Sequence, residues 1–183
     1  LDSSGLMKPH LHGISEVAAH TTGLGATQSN AMTLLSTTDT IIDTMIADIE
    51  QAETSVMMAF YIIDAQGRIE KLLEALMRAA QRGVDCAILA DGVGSRDFLN
   101  SYWVGRLRQA GVEIECALPV GLLKTLFTRT DLRNHRKILV VDSKIGYTGS
   151  FNLVDPSYFK HVSGVRESHD VMIHHTEKMV LEK

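Results

Sequence analysis

Between residues 32 and 117 short apolar runs alternate with longer stretches whose apolar residues recur at helical spacing, and this alternation limits the possible folds more than any other feature. Met32 to Ser36 reads as a strand, and Thr38 or Asp39 can cap a helix carrying Ile41, Ile42, Met45, Ile46 and Ile49. Ser55 to Ile63 is nearly all apolar and is expected as a strand buried on both faces, ended by Asp64 and Gly67. Arg68 to Arg82 places Ile69, Leu72, Leu73, Leu76 and Met77 along one side of a helix, with Gly83 as its cap. Val84 to Ala90 is a third strand, Asp97 to Ala110 a further helix stopped by Gly111, and Val112 to Ala117 a fourth strand. This order predicts an α/β fold, a mixed, mostly parallel β-sheet flanked by helices on both faces.

The turn Asp91-Gly92-Val93-Gly94-Ser95 follows a strand, where α/β folds place ligand loops. It lacks the Gly-x-Gly-x-x-Gly spacing, which excludes a nicotinamide site, and reads as a structural turn with Asp91 near the site.

The chemistry concentrates in Asn134-His135-Arg136-Lys137-Ile138-Leu139-Val140-Val141-Asp142, followed by Gly149-Ser150-Phe151-Asn152. Ile138 to Val141 and Ile145 to Thr148 are two strands joined by a tight turn, a β-hairpin. Residues two apart on a strand share a face, so His135 and Lys137 project together while Arg136 and Ile138 point the other way. An imidazole can attack phosphorus and a lysine can hold the negative oxygens. Ser150 and Asn152 can donate hydrogen bonds to the same phosphate, whereas Asp142, at the turn, is better suited to fixing the lysine or the hairpin.

Composition adds bounds. A chain of 183 residues with 45% hydrophobic and 22% charged residues is an ordinary globular protein, which excludes disorder, collagen and coiled coil. A net charge of −4 argues against an unassisted nucleic-acid binder. Lys124, Arg129, Arg133, Arg136 and Lys137 nevertheless cluster around the motif and favour an anionic substrate. Cys86 and Cys116 read as small buried hydrophobes in a reducing compartment. No apolar run reaches the ~20 residues of a spanning helix and no signal peptide is evident, so the chain as given is expected to be soluble. Residues 1 to 30 read as an irregular arm in which His10 and His12 are surface histidines, and residues 31 to 183 as a single catalytic domain. Pro119 to Thr130 leaves the alternation, and its Leu122, Leu123, Leu126 and Phe127 suit either core or the floor of a lipid-accepting groove.

The spacing His-x-Lys-x-x-x-x-Asp, then Gly-Ser-x-Asn, resembles the HKD motif of the phospholipase D superfamily. Arg133 to Lys137 upstream and Asp155-Pro156-Ser157-Tyr158-Phe159 downstream are similar to the amino-terminal catalytic half of bacterial cardiolipin synthases. The resemblance runs from about residue 30 to 173. It implies an enzyme, a phosphatidyltransferase acting between phosphatidylglycerol molecules through a phosphohistidine, with no metal and no cofactor. His135, Lys137 and Asp142 would be its catalytic residues, and Asn134, Ser150 and Asn152 would bind substrate. Asp170, at the start of a strand over His169 to Ile173, is the candidate carboxylate for orienting His135. The tail from His174 departs from the family pattern and reads as a frayed end.

Two such motifs meet in one site in that family, and this sequence carries one. The resemblance therefore implies a second motif, from a homodimer or from a carboxy-terminal half beyond this chain. It implies an anionic phospholipid substrate and a membrane surface, at the cytoplasmic face of the bacterial inner membrane for a full-length protein. The alternative is a homodimeric single-motif phosphodiesterase or endonuclease, the case in which nucleic acid would be the partner.

Overall fold

The computed structural model describes residues 12–23, 30–117, 135–158 and 170–177. The chain divides into two compact units, Leu1–Ala31 with Thr176–Lys183, and Met32–His175. In the first, the stretch expected to be irregular contains a helix, α1 (His12–Thr22). Gly23 ends it in the left-handed region at φ 72, its N–H on Ala19 O at 2.8 Å. Ile14 and Val17 stay 69% and 68% exposed, so no buried stripe gave this helix away.

The remaining elements are β1 (Asn30–Leu35), α2 (Thr38–Gln51), β2 (Ser55–Phe60), α3 (Arg68–Gln81), β3 (Asp85–Asp91), α4 (Arg96–Leu99), α5 (Tyr102–Gln109), β4 (Glu113–Ala117), β5 (Lys137–Val141), β6 (Ile145–Gly149) and β7 (Met172–Glu177). Among the described residues seven strands form one sheet in the order β1-β7-β6-β5-β2-β3-β4. The α/β class holds and the sheet is mixed. Strands β2, β3 and β4 run parallel, whereas β5 is antiparallel to β2 and to β6.

Alternation along the strands divides the sheet into two unlike faces. Val56, Met58 and Phe60 of β2, with Cys86, Ile88, Ala90, Ile114, Leu139 and Val141, join one core with the buried residues of α2, α3, α4 and α5. Each fully buried Leu or Ile there stabilises the fold by roughly 1.5–3 kcal/mol. On the other face Met57, Ala59, Ala87, Leu89, Ile138 and Val140 line an open apolar groove, with Met57 36% and Leu89 38% exposed. The expectation that β2 is buried on both faces is therefore corrected, and the described helices of this unit cover one face of the sheet.

Local chemistry accounts for other departures. The helix expected over 97–110 is broken at Asn100-Ser101, because Ser101 Oγ caps α5 by accepting from Trp103 N at 3.3 Å while donating to Phe98 O at 2.7 Å. Thr37, one residue earlier than expected, caps α2. Both cysteines are free, Cys86 buried and Cys116 exposed, so the second is not the buried hydrophobe expected; burial pushes the Cys86 thiol up to about 11.

Two carboxylates tie distant elements together. Helix α3 starts after Gly67, which has no side chain to cap it, and Asp155 does so instead, accepting from Arg68 N at 2.9 Å and from Ser157 N at 2.9 Å. The tail is no frayed end as far as Glu177: in β7, His174 Nε2 lies 3.1 Å from Asp48 Oδ2 on α2, and the Tyr147 hydroxyl donates to the same oxygen.

Candidate active site

The registers bring the motif residues to one end of the sheet. Lys137, first residue of β5, is paired with Phe60, last residue of β2, and Ile138 is paired with Thr148 near the end of β6. His135 precedes β5, Tyr61 follows β2, and Ser150 and Asn152 follow β6, so all four share the end that carries Lys137. Asn134 lies outside the described residues.

His135 is exposed, and its ring meets the Tyr61 ring edge-on, with centroids 4.5 Å apart and planes at 68°. Lys137 Nζ donates to His135 O at 2.8 Å and stands 5.8 Å from the Tyr61 ring centroid, within reach of a cation–π contact. An ammonium has three donors, so two remain for phosphate oxygens. An imidazole beside such an ammonium can attack phosphorus while the oxygens are held.

Asn152 uses its amide oxygen to accept from Ile62 N at 3.2 Å, so its capacity to donate lies in its amide N–H groups. Ser150 is differently engaged. Its hydroxyl donates to Asp170 Oδ1 at 2.9 Å and accepts from Val171 N at 3.0 Å, so it links β6 to the start of β7. Asp170 thus takes the Ser150 hydroxyl, and among the described residues the ring partner of His135 is Tyr61 rather than a carboxylate.

Asp142 lies at the opposite end of β5, at φ 53 in the tight turn before β6, roughly 16 Å along the strand from Lys137. Its carboxylate accepts from Glu53 N at 3.0 Å, Thr54 N at 2.8 Å, Thr54 Oγ1 at 2.8 Å and Ser55 N at 2.9 Å. Burial alone would raise this carboxyl, but the Ser55, Glu53 and Thr54 donors outweigh it and hold the group well below the usual carboxylate range. Of the two tasks expected for Asp142, fixing the lysine or the hairpin, these bonds are to the hairpin's neighbour: the carboxylate fastens the β5–β6 turn to the start of β2.

Two site residues escaped the sequence reading. Tyr61 looked like one more residue of an apolar strand, and Ser95 like part of a glycine turn. Ser95 is 1% exposed and bridges the bend after β2, donating to Tyr61 O at 2.9 Å and accepting from Ile63 N at 3.0 Å. Asp91 shapes the same turn by accepting from Val93 N at 2.8 Å and Gly94 N at 2.9 Å. A Cβ on Gly94 would stand 2.3 Å from Tyr61 O, so the close approach of this turn to Tyr61 requires glycine.

An imidazole and an ammonium thus lie at one end of a mixed sheet, beside the residues that follow β6. The fold agrees with solved structures. NucT from Helicobacter pylori superposes with a TM-score of 0.59 at 18% identity, over 81% of this chain and 87% of that one. The phospholipase D family member Nuc from Salmonella typhimurium gives 0.56 at 19% identity, over 82% and 84%. Residues 45–181 match the family model described as "Cardiolipin synthase, PLD-like domain", and the chain belongs to that family. Cardiolipin synthase A of Edwardsiella ictaluri and that of Erwinia tasmaniensis are each 44% identical over 150 residues, 82% of this chain. The matched region spans 31% of the length of these curated relatives.

Proposed function

We propose that the domain transfers a phosphatidyl group between phosphatidylglycerol molecules. His135 attacks the phosphorus of the donor lipid, the bond to the glycerol headgroup oxygen breaks, and that oxygen takes a proton from an imidazole of a second motif. The hydroxyl of a second phosphatidylglycerol, deprotonated by the same imidazole, then attacks the phosphohistidine and frees His135. Lys137 and the Asn152 amide hold the non-bridging oxygens throughout. The second motif comes from another copy of this chain or from a further half of a longer protein, and the reaction takes place on anionic lipid at the cytoplasmic face of the inner membrane. Among the described residues no helix is long and apolar enough to cross a membrane.

The observation that carries this reading is that the His135 ring and the Lys137 ammonium meet the same Tyr61 ring at one end of the sheet, with Nζ 2.8 Å from the His135 main-chain carbonyl. Identity of 44% to cardiolipin synthases, against 18% and 19% to the two solved structures, supports the lipid reading over the homodimeric phosphodiesterase.

Phosphatidylglycerol labelled in its phosphate tests it. The label is expected on His135, acid-labile and base-stable, absent from His135→Ala and reduced by about 10²–10³ in Lys137→Met. Label that persists in His135→Ala would sink the assignment. Cleavage of single-stranded DNA in EDTA without lipid labelling would replace this reading with the phosphodiesterase.

A further inference from the structure

We infer that Tyr61 is the positioning residue of this site, holding the His135 imidazole and the Lys137 ammonium in register for attack on phosphorus; the role rests on the phosphoryl-transfer reading above. A nucleophilic imidazole must aim a ring lone pair at phosphorus, yet the terminal torsion of a histidine is broad and an exposed ring turns freely. Something must therefore fix the plane of His135, and among the described residues the group against its ring is Tyr61, edge-on at 4.5 Å.

A ring–ring contact with Tyr61 restrains the plane of the imidazole by packing, without depending on a hydrogen bond to a ring nitrogen. The same ring lies 5.8 Å from Lys137 Nζ, so one side chain sets the positions of both the nucleophile and the cation.

Tyr61 is itself anchored. Its carbonyl accepts from the buried Ser95 hydroxyl, the next residue's N–H is held by Asn152 Oδ1, and Ile62 O accepts from Leu153 N at 3.1 Å. Gly94 leaves room for its carbonyl and ring, since a Cβ there would come within 3.1 Å of a Tyr61 ring carbon. Asn152 therefore serves the site twice, offering its amide N–H groups to phosphate and fixing the segment that carries Tyr61. Displacement of a reacting group by about 1 Å costs up to roughly 10²-fold in rate, so a ring that holds two reacting groups has a large lever on turnover.

The test pairs a spectroscopic signature with turnover, in wild type, Tyr61→Leu, Tyr61→Met and Tyr61→Phe. In the unliganded protein the ring-proton NMR signals of His135, assigned by their loss in His135→Gln, are expected to be displaced by the neighbouring aromatic ring. Tyr61→Leu and Tyr61→Met move them to the positions of a solvent-exposed histidine, and Tyr61→Phe restores them. The rate of phosphohistidine labelling from phosphatidylglycerol falls roughly 10- to 100-fold in the two aliphatic variants, with KM nearly unchanged, and recovers in Tyr61→Phe. His135 signals that stay in place in a folded aliphatic variant overturn the contact. Signals that move while the rate holds overturn the positioning role. Absence of label on the wild-type chain brings down the phosphoryl-transfer reading and the role with it, while the NMR comparison still decides whether the rings touch.

Discussion

Asp142 and Thr54 are joined twice: Asp142 Oδ1 accepts both the main-chain N–H and the hydroxyl of Thr54, each at 2.8 Å. The aspartate of the motif is thus a fastener between the β5–β6 turn and the start of β2. Asp142→Ala removes bonds whose donors are largely open to water and should cost about 1–2 kcal/mol, read as a lower urea midpoint at pH 7. The folded-state carboxyl titrates below its ordinary value, so the stabilisation is present above about pH 4 and is lost as pH falls through the lower folded value. The gap between wild type and Asp142→Ala should therefore hold at neutral pH and narrow in acid. A gap that stays constant down to pH 2 would show that the carboxylate is not what stabilises the turn.

Asp155 caps a helix that begins 87 residues earlier. Asp155→Ala should destabilise by about 1–2 kcal/mol, and Asp155→Asn, which keeps one acceptor, by less. Gly67→Ala attacks the same joint, because a Cβ there would lie 2.4 Å from Asp155 Oδ2 on a backbone at φ 59. The double variant Gly67→Ala/Asp155→Ala should lose less than the two single losses added together, since removing the carboxylate relieves the clash with Asp155 although that with the Tyr158 ring remains. Strict additivity in urea unfolding would mean that the two positions do not share the cap.

Tyr147→Phe removes the hydroxyl that donates to Asp48 and should cost about 1.5 kcal/mol at pH 7. Burial, then the bond to Asp48 and its charge, push the Tyr147 phenol above its ordinary value of 10.0. A folded-state pKa raised in this way gives stability that is whole below pH 10 and declines above it. Wild type and Tyr147→Phe should therefore differ most at neutral pH and converge in alkali, measured by urea unfolding from pH 8 to about 11. Curves that stay parallel would place the phenol's partner elsewhere.

The strand–helix order and the hairpin could be read from the sequence, because each depends on spacing within a few residues. What could not be read depends on contacts between distant segments. The donors to Asp142 lie 87 to 89 residues earlier, and nothing about Glu53-Thr54-Ser55 marks them as its partners. Tyr61 was hidden in an apolar run that reads as strand as far as Ile63; the chain bends at Tyr61 because Ser95, 34 residues later, takes its carbonyl. The apolar character of Ser55 to Ile63 implies two buried faces, yet hydrophobic side chains such as Met57 also remain on the open side of the sheet. Asp170 and Ser150 lie 20 residues apart in sequence, and it is the neighbouring of β6 and β7 in the sheet that brings them together.

The motif also works as a ruler. Lys137 opens β5 and Asp142 directly follows its last residue, so the four residues between the two motif letters, with the strand they form, set the span from the chemistry at one end of the sheet to the fastener at the other. Because side chains alternate along a strand, inserting a single residue between Ile138 and Val141 could not leave both ends in place. With Asp142 fastened to Thr54, Lys137 would turn to the opposite face and move roughly 3 Å farther out. With Lys137 kept beside His135, the turn would miss its donors. The length of this strand is a shared dimension through which the fastened turn sets where His135 and Lys137 stand.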